Sequence, residues 1–483
     1  MNKISFGTSG HRGIVGTSFT MAHVCAIGYA ISDILPSNSR IVIGYDTREG
    51  NALNHKNSYT LALARVLMER GHIPILCKSY TPTPVVSWAI TAKGYDGGII
   101  LTASHNPPEY NGIKFNPNNG APSPSYLTDK IETLANKYIA HEMSSNSVSV
   151  SPNTEDFSHG FSQHLQNILH TYFDIQHLEK MTLSIDPKHG SCGETWDAIA
   201  SHLNIELHYI HKTPLPSFGG IDTNPTQEIG LSELKKSVIR NGAIAGISND
   251  PDGDRHSILD EYGHRLSPEE TTCIIGDFFI SNGYAVKGIA TTVASSHIIH
   301  SFCHYHGIEI FETAVGFKHF ASYLEDAFEH KQLAFAVESS GGFSMAGHTL
   351  EKCGFLPGLL IACISRSTNT PISKLKASIL SKYGKFYFEE TTYTFNSESS
   401  EKLIHLCKTE SIEVFNPFFS TIQSISTKDG CKLLFSDHDW VLIRLSGTEP
   451  IARIYAESKS KQRSQKLLSV TINALDSLIL TTR

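Results

Sequence analysis

The stretch that decides the fold is GGIILTASHNP, at residues 97–107. Its first half, residues 97–101, is a short apolar run of the kind that forms a buried strand. Its second half places Ser104 beside His105, directly before an Asn-Pro dipeptide that favours a turn. A buried strand that runs into such a loop presents a serine hydroxyl at the edge of a sheet. The pattern therefore predicts a serine placed for nucleophilic chemistry.

The surroundings of this stretch recur twice along the chain as a weak internal repeat. The three copies open with strand-like runs at 40–44, 183–185 and 288–290, and in each a conspicuous loop follows an equivalent later strand. Strands that alternate with helices predict α/β domains with mainly parallel sheets. Ligands bind beyond the carboxyl ends of strands in such sheets, so the three loops are expected to face one central cleft.

The chain of 483 residues is too long for one hydrophobic core, so several domains are expected. We predict three related α/β domains with mixed, mainly parallel sheets, followed by a smaller C-terminal α+β domain; the spans are 1–157, 158–266, 267–384 and 385–483. The Ser/Asn-rich stretch 143–158 is interpreted as an excursion between the first two domains.

The composition narrows the class of protein. A formal net charge of -7 argues against a nucleic-acid partner and fits an enzyme of small molecules. The nine cysteines are scattered and contain no Cys-x-x-Cys pair, which predicts reduced thiols rather than disulfides or a zinc site. The N-terminus lacks a signal-peptide core, and no apolar run is long enough to span a membrane. We expect a cytoplasmic monomer or homodimer with no membrane partner.

A second loop, DPDGDR at 250–255, carries three alternating carboxylates: Asp250, Asp252 and Asp254. These side chains can converge on one hard cation. Arg255 beside them can hold a phosphate group. An EF-hand competes, because Glu261 is twelfth counting from Asp250. Arg255, however, stands sixth, where that loop needs glycine, and the flanking runs predict strands rather than helices. A solvated acidic turn is the other alternative.

A third loop near the C-terminus combines a guanidinium, two hydroxyls and a glycine-centred turn: Arg444, Ser446, Gly447 and Thr448. Backbone N–H groups in such a turn form a phosphate-binding nest. The spacing is not that of a Walker A loop. A plain hairpin turn is the alternative. Arg453 is either a further phosphate contact or a charge on the surface of a strand.

A fourth group follows the apolar run 333–337. Glu338 and Ser340 alternate there and can both turn toward sugar hydroxyls, and the two glycines after them permit a close approach. A glycine-rich turn without ligand contacts is the alternative. His348 and Lys352 further on either line the same pocket or are exposed.

The serine needs partners for its chemistry. A hydroxyl becomes a good nucleophile when a base takes its proton, and His105 and Lys114 are the nearby candidates for acid/base work. Near the N-terminus, the flexible loop 7–13 offers Arg12, a cation suited to a doubly charged phosphoserine. The alternatives are an ordinary Ser-His turn and a frayed terminus.

Four motifs, in this order along the chain, resemble the α-D-phosphohexomutases, a family that includes phosphoglucomutase and phosphomannomutase; they lie at 6–13, 102–107, 250–255 and 444–450. The resemblance implies four domains around a central cleft and Mg²⁺ held by the three aspartates and by a phosphate on Ser104. It also implies a hexose 1,6-bisphosphate intermediate, with glucose 1,6-bisphosphate as activator. The loop 313–318 resembles a family loop in which the lysine, here Lys318, approaches the sugar.

The resemblance also bears on the hexose phosphate substrate. The segment around Glu338 and Ser340 resembles the bacterial type associated with phosphoglucomutase, so glucose is favoured and mannose is second. Ser339 and Cys353 depart from that type, which has Glu and Asp at these positions. Two other functions compete. A metal-dependent phosphatase shares the serine and the aspartates but needs no bisphosphate activator, and a sugar-phosphate sensor keeps only the phosphate nest.

Overall fold

The computed structural model describes residues 3–7, 9–140, 152–396, 400–408, 411–445 and 451–480. The chain divides into two compact units. The first comprises Met1–Lys287 and Phe317–Lys376, and the second Gly288–Gly316 and Ala377–Arg483. All nine cysteines are unpaired and buried. Within the described ranges, no helix combines the length and the apolar character that crossing a membrane requires.

The first part of the chain forms a seven-stranded sheet with four helices. Its elements are β1 Phe6–Gly7, β2 Gly10–Ile14, α1 Met21–Ile34, β3 Arg40–Tyr45, α2 Tyr59–Glu69, β4 Ile73–Cys77, α3 Thr83–Lys93, β5 Gly97–Leu101, β6 Tyr110–Pro117, α4 Ser125–Ala140 and β7 Asn153–Glu155. The strand order is β1-β2-β6-β5-β3-β4-β7. The strands β5, β3, β4 and β7 run parallel, and β6 and β2 continue the sheet in antiparallel fashion.

The second part forms a five-stranded sheet that repeats this plan. Its elements are α5 Ser158–Tyr172, β8 Met181–Asp186, α6 Cys192–His202, β9 Ile205–Tyr209, α7 Ser232–Asn241, β10 Ala245–Asn249, β11 His256–Leu259 and β12 Arg265–Leu266. The strand order is β12-β11-β10-β8-β9. The strand β8 is parallel to both neighbours, and β10 turns into the antiparallel β11 through the aspartate loop.

The third part supplies elements to both units. They are α8 Pro268–Ser281, β13 Val286–Thr292, α9 Ile298–His306, β14 Glu309–Thr313, α10 Ala321–Glu329, β15 Leu333–Val337, β16 Phe343–Met345, α11 Leu356–Ser367 and α12 Ile372–Tyr383. The strands β15 and β16 form an antiparallel pair in the first unit. In the second unit, β13 is parallel to β14.

The last part is an antiparallel sheet covered by helices. Its elements are β17 Tyr387–Thr394, α13 Ser400–Leu406, β18 Ser424–Ser426, β19 Cys431–Leu434, β20 Trp440–Leu445, β21 Ile451–Ser458 and α14 Lys461–Leu480. The strand order is β17-β21-β20-β19-β18. The α/β elements before it and this α+β tail confirm the predicted fold class. The four predicted domain spans stay a prediction.

The strands that the sequence predicts for the repeat units are present in the structure. One predicted segment differs. The strand at 97–101 has the predicted bounds. The stretch 143–158 is not a mere excursion: residues 141–151 lie outside the described ranges, but Asn153–Glu155 form β7, which pairs with β4. Polar strands of three residues carry no hydrophobic period, so sequence patterning misses them. The strands on both sides of the aspartate loop rule out an EF-hand.

Candidate active site

Ser104 lies in a buried loop at the carboxyl end of β5, as predicted. Its hydroxyl donates a hydrogen bond to Asp250 Oδ2 at 2.7 Å. His105 Nδ1 lies 3.4 Å from the same hydroxyl oxygen. Ser104 has a φ of 53°, in the left-handed region. For a residue other than glycine this conformation costs of the order of 1–3 kcal/mol and persists only where the surroundings impose it.

The backbone of the serine loop is fixed by Thr102, which follows β5, and by two side chains that follow β3. The Ser104 N–H donates to Thr102 Oγ1 at 2.8 Å, and the Thr102 hydroxyl donates to Asp46 Oδ2 at 2.6 Å. Arg48 pairs with the same carboxylate oxygen at 3.1 Å. Its guanidinium also donates to backbone carbonyls of the serine loop, including that of Ser104. These contacts hold the strained conformation in place.

The three predicted carboxylates, those of Asp250, Asp252 and Asp254, form a buried triad with oxygen atoms within 4.8 Å of one another. Among the described residues, Asp252 Oδ1 and Asp254 Oδ1 are buried without a hydrogen-bond donor. Burial and the two neighbouring charges hold the pKa of Asp250 above its ordinary value. Buried oxygens that lack donors, on a set of carboxylates without nitrogen or sulfur ligands, fit a hard divalent cation such as Mg²⁺.

Two buried lysines balance part of this negative charge. Lys114 Nζ lies 2.6 Å from Asp252 Oδ2 and 3.0 Å from Asp254 Oδ2. Lys352 Nζ lies 3.1 Å from Asp254 Oδ2 and 3.4 Å from Glu351 Oε1. Burial opposes the ionised form of Asp254, but the charges of Lys114 and Lys352 outweigh it and hold the pKa of Asp254 below its ordinary value. Lys352 is thus part of the centre, one of the two alternatives left open by the sequence.

Two arginines complete the charges around the serine. Arg12 Nη1 donates to Asn106 Oδ1 in the serine loop at 2.6 Å. Burial and the nearby charge of Arg255 lower the pKa of Arg12 to about 10. Arg255 Nε lies 3.8 Å from both Asp250 Oδ2 and Asp254 Oδ1. The chain thereby brings two guanidinium groups to the serine and aspartate loops, as a phosphate-handling site requires.

The Glu338 loop is joined to the aspartate loop through its backbone. His256 N–H donates to the Gly341 carbonyl at 2.9 Å, and Arg255 forms an isolated β-bridge with Gly342. Gly341 has a φ of 96°, and a Cβ there would lie 2.6 Å from the His256 carbonyl oxygen. Only glycine allows this approach. The contact places Glu338, which is buried, and Ser340, which is half-buried, in the same unit as the triad.

Lys318 lies in a turn before α10, and its Nζ donates to Ser125 Oγ at 2.9 Å. It lines a small cavity together with both buried lysines, Lys114 and Lys352. His348 behaves differently from either expectation. It is half-buried rather than exposed, and its Nδ1 lies 3.0 Å from Nε2 of His164, with the two rings stacked.

Arg444 and Arg453 belong to the second unit. They are direct cross-strand partners on β20 and β21, so their side chains share one face of the sheet. Arg444 Nε donates to Asp429 Oδ2 at 2.8 Å, and Asp429 also accepts the Val315 N–H. The remaining predicted members of this loop, Ser446, Gly447 and Thr448, lie outside the described residues.

Sequence reasoning missed several residues that position the site. Thr83, at the start of α3, donates its hydroxyl to Asp252 Oδ2 at 2.8 Å. Asp46 and Arg48 fix the serine loop, and Glu351 pairs with Lys352. One signal pointed to Asp46 and Arg48: they follow β3, a parallel strand of the same sheet, at the edge where ligands bind.

Comparisons with known proteins agree with this geometry. Four family models, described as phosphoglucomutase/phosphomannomutase alpha/beta/alpha domains I, II and III and C-terminal domain, match residues 3–142, 159–263, 267–383 and 402–473. The chain is 27% identical to a phosphoglucosamine/phosphogalactosamine mutase of Sulfurisphaera tokodaii, over 96% of this chain and 97% of the relative. It is also 27% identical to a phosphoglucomutase/phosphomannomutase of Thermococcus kodakarensis, over 98% of both chains. A crystal structure of a putative phosphomannomutase from Thermus thermophilus aligns with a TM-score of 0.82 at 23% identity, over 98% of this chain and 99% of that chain.

The four matched segments occupy most of the chain and follow one another in the family order. The protein therefore belongs to the phosphoglucomutase/phosphomannomutase family, the α-D-phosphohexomutases. It is an enzyme of the isomerase type that transfers a phosphoryl group within a sugar phosphate.

Proposed function

We propose that the protein interconverts glucose 1-phosphate and glucose 6-phosphate through a phosphorylated Ser104 and glucose 1,6-bisphosphate. One observation carries the proposal: a buried serine hydroxyl lies 2.7 Å from one of three clustered aspartates. A serine that only packed in a core would not need such costly neighbours, because clustered buried carboxylates repel one another.

In the proposed reaction, phospho-Ser104 gives its phosphoryl group to the free hydroxyl of the bound sugar phosphate. The resulting bisphosphate turns end over end, and its other phosphoryl group returns to Ser104. His105, 3.4 Å from the serine oxygen, and Lys114 are the groups proposed to move the protons. Arg12 and Arg255 are proposed to stabilise the charge of the phosphoryl group during transfer.

The aspartate triad supports a Mg²⁺ site, with Asp250, Asp252 and Asp254 as its protein ligands and the Ser104 oxygen beside them. A bound Mg²⁺ would supply Lewis-acid stabilisation of charge on the phosphoryl oxygens. The two carboxylate oxygens that lack donors are available for such an ion. Thr83 fixes the orientation of Asp252 through the hydrogen bond to its other oxygen.

The remaining groups are proposed to hold the substrate. Glu338, Ser340 and Lys318 bind the sugar, and Arg444 with Ser446, Gly447, Thr448 and Arg453 bind the phosphate that is not transferred. Arg444 and Arg453 are two cations on one face of the sheet, and the Asp429 carboxylate balances only one of them, which supports a further anion as their partner. A single phosphate site would serve both orientations of the bisphosphate.

Glucose is the proposed sugar, with weaker activity on mannose phosphates. A phosphoglucosamine mutase is the second candidate, because the relatives with whole-chain matches include enzymes with that name. Steady-state rates on glucose, mannose and glucosamine 1-phosphates, measured with one preparation of purified protein, decide between them. We expect the highest kcat/KM for glucose 1-phosphate. A higher value for mannose 1-phosphate or glucosamine 1-phosphate would reject the glucose assignment and leave the mutase assignment intact.

A phosphatase is separated from a mutase by its products. The proposed enzyme releases an isomeric sugar phosphate and needs traces of glucose 1,6-bisphosphate for full activity. Free inorganic phosphate formed at the rate of substrate loss, with no requirement for the bisphosphate, would establish a phosphatase instead.

A further inference from the structure

The arginine behind the serine loop has an unusual set of contacts. The Arg48 side chain is fully buried, and its Nη1 donates to the carbonyls of Pro107 and Tyr110, both at 2.7 Å. Its Nη2 donates to the carbonyls of Ser104 and Asn106, at 2.5 and 2.6 Å. A guanidinium has five N–H donors. Four of the five bind backbone carbonyls of the serine loop and of Tyr110, the first residue of β6, and the fifth, on Nε, binds Asp46 Oδ2.

We infer that Arg48 is a positioning residue for phosphoryl transfer: it fixes the serine loop so that Ser104 keeps its left-handed backbone and its hydroxyl faces Asp250. This inference rests on the proposed role of Ser104 as phosphoryl carrier. Among the described contacts, Arg48 makes no hydrogen bond or ion pair with the aspartate triad, although the charges of Asp252 and Asp250 act on it. It acts through the backbone of residues 104–110.

A second set of hydrogen bonds holds the serine loop. It shares the Asp46 carboxylate with the contacts of Arg48. Asp46 Oδ2 accepts the Arg48 Nε–H and the Thr102 hydroxyl, and Thr102 Oγ1 accepts the Ser104 N–H. Asn51 Nδ2 donates to Asp46 Oδ1 at 2.9 Å. One ion pair therefore holds Ser104 at both of its backbone polar groups, through its N–H by way of Thr102 and through its carbonyl by way of Arg48.

The spread of the carbonyl acceptors favours a guanidinium, with its several N–H donors, over a side chain that supplies only a positive charge. A lysine at position 48 would carry three donors on one atom and could not reach four carbonyls spread over seven residues. Lysine keeps the positive charge beside Asp46, so the Arg48→Lys change removes the forked donors without removing the charge. The Asp46–Arg48 pair contributes by fixing the geometry of the serine loop. Reacting groups displaced by about 1 Å lose up to about 100-fold in rate.

The test compares Arg48→Lys with the wild-type enzyme in the full-length chain. We expect kcat for glucose 1-phosphate to fall about 10–100-fold while KM changes less than about threefold, because the sugar and phosphate contacts lie on other residues. In single-turnover experiments with the phosphorylated enzyme, transfer to glucose 1-phosphate should slow by the same factor, whereas hydrolysis of the phosphoserine by water should not slow. The ratio of transfer to hydrolysis is a readout that simple destabilisation would not change.

Two further sets of variants control for folding. Leu63 is buried on α2 of the same unit, where its side chain lies against Gly28 of α1, so Leu63→Ala should lower the melting temperature but keep the wild-type ratio. Thr102→Ser retains the hydroxyl that binds both Ser104 and Asp46, and Thr102→Val removes it. We expect Thr102→Ser to keep most of the activity and Thr102→Val to lose kcat as Arg48→Lys does.

The outcomes separate this inference from the proposed function. If wild-type enzyme carries no phosphoryl group on Ser104 and transfers none, the proposed function fails. If wild-type enzyme transfers normally, and Arg48→Lys and Thr102→Val retain its kcat per folded molecule or raise only KM, the positioning role is wrong and the proposed function stands.

Discussion

The cations of the two units are held in contrasting ways. In the first unit, Lys114 and Lys352 are buried on Asp254, and every donor of Arg48 is already engaged. In the second unit, Arg453 is exposed and is the cross-strand partner of Arg444, which pairs with Asp429. The first arrangement suits a fixed centre in which bonds change, and the second suits a surface that accepts a phosphate from outside.

Under the proposed function, this contrast would explain how one enzyme acts on both ends of a sugar. Transfer requires a serine and a metal site that do not move relative to each other, because misplacement by about 1 Å is costly. Holding the other phosphate requires only charge and hydrogen-bond donors that accept either isomer. Variants of the serine and aspartate loops in the first unit should therefore lower kcat, and variants of Arg444 in the second should weaken binding.

The largest effect is expected from Ser104→Ala. Removal of the hydroxyl eliminates the group that carries the phosphoryl, so kcat should fall on the order of 10⁴-fold or more. Activity in the presence of saturating glucose 1,6-bisphosphate checks this, since excess activator cannot replace the serine. An alanine variant that keeps the wild-type rate would overturn the serine mechanism.

The next effect is expected from Asp252→Asn. The change removes one negative charge from the triad but keeps an oxygen for Thr83, so the fold should survive while kcat falls by at least about 100-fold. Asp260→Asn is the matched control, because Asp260 is also buried but caps the backbone of the β11–β12 turn at Tyr262 and His264. Chelation with EDTA should abolish wild-type activity and added Mg²⁺ should restore it. Full activity after chelation would show that the triad is not a catalytic metal site.

A smaller effect is expected from Arg444→Ala in the second unit. The loss of a charge-assisted contact is worth roughly 1.5–3 kcal/mol, or about one to two decades in binding. The defect should appear in KM for both the 1-phosphate and the 6-phosphate. Arg463→Ala removes another Arg–Asp pair of the same unit and should leave both KM values within about twofold. A defect confined to one isomer would contradict a shared phosphate site.

The smallest effect is expected from Ser339→Glu, which restores the residue usual in the bacterial phosphoglucomutase type. The alternation of Glu338 and Ser340 in the sequence predicts that the side chain between them points away from the sugar. The structure has a turn here, closed by the Gly341 N–H on the Glu338 carbonyl, so the substitution tests that prediction. We expect kcat/KM for glucose and mannose phosphates to change less than about threefold. A reversal of the preference between the two sugars would show that position 339 contacts the substrate.

Much of the site could be predicted because its parts are short and local. Ser104 and the aspartates each follow a buried strand, and the carboxyl ends of strands are where such loops bind ligands. The aspartate triad could be predicted from the alternation of three carboxylates within five residues alone. These features lie in contiguous stretches, so the order of residues alone specifies them.

The supports of the site could not be predicted because they come from distant parts of the chain. Thr83 reaches Asp252 across 169 positions, and Arg48 reaches Ser104 across 56. The sequence around Thr83 or around Arg48 does not indicate which distant residue the side chain contacts. Lys352 remained undecided between a buried and an exposed position, since a charged side chain is buried only when a partner such as Asp254 is available.

The central claim is that Ser104 carries the phosphoryl group between the two ends of the sugar. Purified enzyme, phosphorylated with glucose 1,6-bisphosphate, is mixed with glucose 1-phosphate in a single turnover and followed by intact-protein mass spectrometry and peptide mapping. We expect one phosphoryl group on Ser104 that disappears as glucose 1,6-bisphosphate forms, at a rate no slower than kcat. A phosphoryl group on another residue, or one that leaves only as inorganic phosphate, would contradict the claim.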